Sequence, residues 1–102
     1  MNLPQMENVE SITFSQNSAE WVAVDEDVIR FYELLGNKKT TKSESIQDYP
    51  VNADFVVTMT INDAEGITTM FVYLKQGRYY LEQPYNGIYR ISEEMYDFCT
   101  GE

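Results

Sequence analysis

The amino-acid sequence predicts an α+β domain: an antiparallel sheet of about six strands, ordered β-β-α-β-β-β-β-α, with one helix packed on a face and a short C-terminal helix. Three observations carry this expectation. Several stretches alternate between apolar and polar residues with the period of a strand. Two tight-turn signals, Lys75-Gln76-Gly77-Arg78 and Pro84-Tyr85-Asn86-Gly87, separate runs rich in aromatic and β-branched residues. Two further stretches have an acidic start followed by apolar residues at helical spacing.

In chain order, residues 1–7 carry Pro4 and little pattern and read as a flexible arm, with a single domain over 8–102. Val9 to Ser15 alternates, with Ile12 and Phe14 on one side and Ser11 and Thr13 on the other. Gln16-Asn17-Ser18 is a turn cluster, and Trp21 to Val24 completes a β-hairpin. Asp25 then opens a helix as its capping residue, followed by Glu26 and Asp27 where the helix dipole favours negative charge. Val24 and Ile29 are spaced as a hydrophobic staple. Val28, Phe31, Tyr32 and Leu35 make the apolar face, and Gly36-Asn37 ends the helix. Lys38 to Pro50 is polar, holds three of the four lysines, and reads as a solvated linker.

From Asp54 the alternation resumes, with Phe55, Val57, Met59 and Ile61 pointing one way. The loop Asn62 to Gly66 returns the chain into Ile67 to Leu74, which is apolar on both sides and therefore central. Tyr79 to Gln83 and Ile88 to Ile91 follow the two tight turns, and Pro84 and Gly87 set the second turn so that Ile88 returns to the core. Ser92 caps the last helix, Ile91 and Tyr96 form its staple, and Met95, Phe98 and Cys99 continue its apolar side.

Composition narrows the function classes. The formal net charge is −10, from 17 acidic and 7 basic residues, which disfavours nucleic-acid backbones and anionic membrane surfaces. With no histidine, Ser-His-Asp, Cys-His and His-zinc chemistry are excluded. Cys99 is the lone cysteine, so no intrachain disulfide forms, and a small buried thiol is expected. No apolar run reaches spanning length. The loop Asn62 to Gly66 lacks the alternating oxygen ligands of a calcium loop, and the glycines are isolated turn or cap residues rather than a phosphate cradle.

Acid–base catalysis needs two carboxylates at a defined separation. Nothing fixes such geometry for Glu82, Asp54 or Asp48, and Glu82 reads as a solvent-face residue or a cross-strand partner of Arg78 or Arg90. The expectation is therefore a non-enzyme without metal or cofactor. Tyrosine is the enriched residue: five of eight lie within Ile67–Ile91, and Tyr96 lies just beyond. Tyr79 shares a face with Leu81 and is assigned to the core, whereas Tyr80 shares the opposite face with Glu82. Tyr80, Tyr85 and Tyr89, with Lys38, Lys39 and Lys42, are the candidate binding residues.

The stretch Lys75-x-Gly77-x-Tyr79-Tyr80, followed by Glu82-Gln83-Pro84-Tyr85-x-Gly87-Ile88-Tyr89, resembles the signature of a small domain family of unknown function. That family occurs in exported proteins and lipoproteins of Gram-positive bacteria. The opening Asn8 to Phe14 and the helix Asp25 to Leu35 are similar to its general plan, so the resemblance covers most of the chain. It implies an extracytoplasmic origin, with a signal or lipid-anchor segment upstream of Met1, and it supplies no catalytic or binding residues. The expected function is a non-enzymatic binding or accessory module at the bacterial cell surface, a monomer that recognises protein, peptide or cell-wall material. The alternative is a cytosolic acidic inhibitor or regulator, mimicking nucleic acid or blocking a basic partner.

Overall fold

The computed structural model describes residues 1–36, the backbone of 41–43, residue 45 and residues 47–101. Among the described residues, seven strands form one antiparallel sheet: β1 (Val9–Gln16), β2 (Ala19–Ala23), β3 (Thr41–Ser43), β4 (Asp54–Asp63), β5 (Gly66–Lys75), β6 (Arg78–Gln83) and β7 (Gly87–Ile91). Their order across the sheet is β2-β1-β4-β5-β6-β7-β3. The expected α+β arrangement is present. Its six long strands are joined by a short seventh, β3, which pairs with β7 at one edge. β5 lies in the middle, as its two apolar faces require.

Register explains which side chains are buried. Ile12, Phe14, Val57, Met59, Ile61, Met70, Val72, Leu81, Tyr89 and Ile91 form the core with residues from both helices. Each fully buried Leu, Ile, Phe or Met contributes about 1.5–3 kcal/mol relative to exposure. The exposed Arg30–Glu94 pair at 2.9 Å, which links the helices, contributes at most about 1 kcal/mol. Apolar burial therefore dominates this side of the sheet.

Helix α1 (Glu26–Leu35) buries Val28, Phe31 and Leu35, with Tyr32 half-buried. Its start differs from the expectation. Asp25 has φ +53° and its side chain makes no capping bond. Instead the backbone closes the first turn, with Asp27 N–H donating to Val24 O and Val28 N–H to Asp25 O. Val24 and Ile29 are both exposed, so they form no buried staple. Helix α2 (Glu93–Thr100) follows its sequence rules closely. Ser92 Oγ accepts from Met95 N–H at 3.1 Å, Ile91 and Tyr96 are buried, and Gly101 ends the helix in the left-handed conformation.

The N-terminal arm lies against the body of the domain. Asn2 exchanges two hydrogen bonds with the Gln83 side chain, at 2.8 and 2.6 Å. Tyr32 OH donates to Pro4 O at 2.8 Å, and Met1 and Leu3 pack on the core.

Chemical denaturation discriminates the two helix starts. Ser92→Ala is expected to lower stability by about 1 kcal/mol, whereas Asp25→Asn, which removes no capping bond, should stay within about 0.5 kcal/mol of wild type.

Candidate functional site

The helices cover one face of the sheet. On the other, alternation and register bring Thr58, Phe71, Glu82 and Ile88 into one cross-strand row, and Tyr73, Tyr80 and Arg90 into the next. Ile88 is thus half-buried on this outer face, and its neighbour Tyr89 takes the core position instead.

Glu82 is the main departure from the sequence reading. It is 1% exposed, although its strand position faces away from the helices. The cause is Ser45 and residues 47–50, which lie against this face of the sheet. Ser45 Oγ and Gln47 Nε2 each donate to Glu82 Oε2 at 2.7 Å, and Tyr73 OH donates to Oε1 at 3.0 Å. Among the described residues, neither Arg78 nor Arg90 pairs with it. Both oxygens are instead met by neutral donors, as a buried acceptor requires. Burial, and then the adjacent Glu82 charge, push the Tyr73 hydroxyl well above its ordinary pKa of 10.0.

The same segment ties down the β6–β7 turn. Ser45 Oγ accepts from Tyr85 N–H at 3.1 Å, and Asp48 hydrogen-bonds the Tyr85 hydroxyl, which raises that group's pKa. Tyr49 packs edge-on against Phe71, with ring centroids 5.0 Å apart. Of the stretch expected to be a solvated linker, Ser45 and residues 47–50 therefore lie over β5 and β6. Thr41–Ser43 forms an edge strand on β7, and Lys38 to Thr40, Glu44 and Ile46 lie outside the described residues.

Phe55 is the second departure. A one-residue irregularity in the β4–β5 register between Asp54 and Val57 turns its ring out of the core, leaving it 68% exposed. Its backbone has φ +51°, a costly conformation for a bulky residue. Two side chains hold it there: Tyr96 OH and Gln16 Nε2 donate to Phe55 O at 2.6 and 3.1 Å. Tyr85 repeats the pattern, 65% exposed at φ +59° with its N–H held by Ser45. Phe55 and Tyr49 line one shallow groove of about 490 Å³ with Ser15, Gln16, Asn17 and Thr58. Rigid aromatic rings beside hydroxyl and amide groups suit recognition of a polar polymer.

The sequence-derived candidates fare unevenly. Tyr85 is on the surface, as expected. Tyr80 is half-buried on the outer face, 5.8 Å from Tyr73. Tyr89 is corrected: at 2% exposure it belongs to the core, because it shares strand parity with Ile91. Lys38 and Lys39 lie outside the described residues, as does the side chain of Lys42. Sequence reading missed Phe55 and Tyr49. The only local signal was Tyr49-Pro50 closing a polar stretch just before a strand. Cys99 is fully buried, and burial raises its thiol pKa, so it is an inert packing residue. Among the described residues, no cluster of three or more His, Cys, Asp or Glu could hold a metal, and no helix is long and apolar enough to cross a membrane.

An antiparallel sheet with helices on one face and exposed aromatic rings beside the other defines a small α+β domain. The chain belongs to the DUF5301 family, described as a domain of unknown function (DUF5300), which matches residues 1–90. It is similar to a protein from Ruminococcus gnavus solved by NMR, at 40% identity and TM-score 0.74, with 93% of this chain and 97% of that chain covered. No curated protein matches the chain.

Two stability measurements test the Glu82 cluster. Glu82→Gln removes the charge and sets an NH₂ group against the donors of one of the two oxygens, Ser45 and Gln47 or Tyr73. It is expected to cost about 2 kcal/mol in urea denaturation. Because the Tyr73 pKa is raised on folding, its contribution is complete below pH 10.0 and is lost as pH rises beyond it. Wild-type stability should therefore fall above that pH, and less steeply in Tyr73→Phe.

Proposed function

We propose that this chain is a non-enzymatic binding or accessory module of the bacterial cell surface. It recognises protein, peptide or cell-wall material through the outer face of its sheet. One observation carries the reading: the aromatic rings of Phe55 and Tyr85 are both largely exposed, both sit on left-handed backbone, and both are held there by side-chain bonds. A fold that keeps strained backbone to hold apolar rings in water is spending stability on display.

The buried acid supports the non-enzymatic part. Glu82 is closed to solvent and saturated with donors, an arrangement suited to holding a segment in place rather than to exchanging a proton with substrate. The signature spanning Lys75 to Tyr89 supports the extracytoplasmic setting, with the domain exported or lipid-anchored in its full-length form. Tyr49, Phe55 and Tyr85 are the proposed contacts, with Tyr80 at the margin.

Co-sedimentation with purified Gram-positive cell walls, intact and stripped of protein, tests this. Phe55→Gly should weaken retention at least about tenfold while raising thermal stability, since it relieves φ +51°. Tyr85→Ala should weaken retention with little change in stability. Unchanged retention in both folded variants would remove the outer face as the recognition site.

A further inference from the structure

We propose a second site, on the helix side of the sheet, that takes a small hydrophobic cation: an aliphatic or aromatic group carrying one ammonium. The site is a cavity of about 420 Å³ between the β1–β2 hairpin and the C-terminal end of α2, within the ligand-sized range of about 300–1,000 Å³. It adjoins the groove beside Phe55, with Ser15 and Gln16 lining both, but it does not depend on the reading above.

Its apolar wall is a cluster of three rings. Phe14 and Trp21 stack at 4.7 Å, and Phe98 meets both edge-on, at 6.0 and 5.4 Å. Val57 adds a buried aliphatic surface. The indole is fixed in orientation, because its Nε1–H donates to Cys99 O at 3.1 Å. A fixed, partly exposed indole is the strongest aromatic partner for a cation.

Charge at the cavity selects the sign of the ligand. Glu20 and Asp27 line it, and no lysine or arginine does so among the described residues. The last turn of α2 carries no basic residue, so no side-chain charge opposes the partial negative charge at the helix C-terminus. An anion would meet repulsion from each of these groups. A cation with an apolar body meets attraction at the rim and a hydrophobic wall beneath it.

Trp21 is the only tryptophan, so its fluorescence reports occupancy directly. The probes are three molecules sharing one phenyl body: phenethylammonium, 2-phenylethanol and phenylacetate. Phenethylammonium should give a saturable change, with affinity about tenfold above that of phenylacetate, and a preference that shrinks as salt rises. The double variant Glu20→Gln/Asp27→Asn changes residues at the rim, away from the core. It should abolish that preference while leaving 2-phenylethanol binding unchanged, with only a small loss of thermal stability from removing the Asp27 charge in the first turn of α1. Phe98→Ala, checked for folding, should weaken all three probes. Absence of saturation with any probe, equal affinity for the cation and the anion, or a preference that survives the double variant would each overturn the proposal.

Discussion

The outer half of this molecule depends on one buried carboxylate. Glu82 accepts from Ser45, Gln47 and Tyr73 on the sheet face opposite the two helices. Removing a charge from water is costly, and hydrogen bonds to charged groups return about 1.5–3 kcal/mol each. With three such bonds the acid becomes an anchor; with fewer it would expel the segment that covers it. The anchored segment in turn shields Phe71 and Tyr73, which are buried on the side of β5 away from the helices. β5 is thus covered twice, by helices on one side and by Ser45 and residues 47–50 on the other.

That anchor also organises what is displayed. Ser45 serves both Glu82 and the Tyr85 backbone, and Tyr49 rests on Phe71 beside the groove that Phe55 borders. Tyr96 from α2 donates to the Phe55 carbonyl, linking the helix layer to the strained residue. The exposed rings are therefore not loose loop residues. Each is tied to packed structure by bonds whose partners are distant in sequence, which lowers the entropy lost on engaging a ligand.

Much of the fold was legible because its signals are local. Alternation located β1 and β4, turn signals bounded β5 and β6, Ser92 marked the start of α2, and the parity that sent Tyr79 inward beside Leu81 holds in the structure. Applied to Tyr89 and Ile91, the same parity would have removed Tyr89 from the surface candidates. The outer site was hidden for different reasons. Strand alternation assigns Glu82 to a face but says nothing of a distant segment folding over it. A register irregularity inverts one residue without changing the pattern around it, so Phe55 read as core. Asp25 read as a cap because capping residues are recognised by type, whereas here the backbone itself closes the turn.

The central claim is that the segment pinned by Glu82 and the rings beside it form the recognition face. Backbone amide chemical-shift mapping, with soluble fragments of a Gram-positive cell-wall digest titrated into the labelled protein, tests it most directly. The account predicts saturable shifts concentrated at Tyr49, Phe55 and Tyr85 and their strand neighbours, with α1 silent. Shifts confined to the helix side of the sheet would contradict it, as would their absence across peptide, glycan and surface-protein fractions.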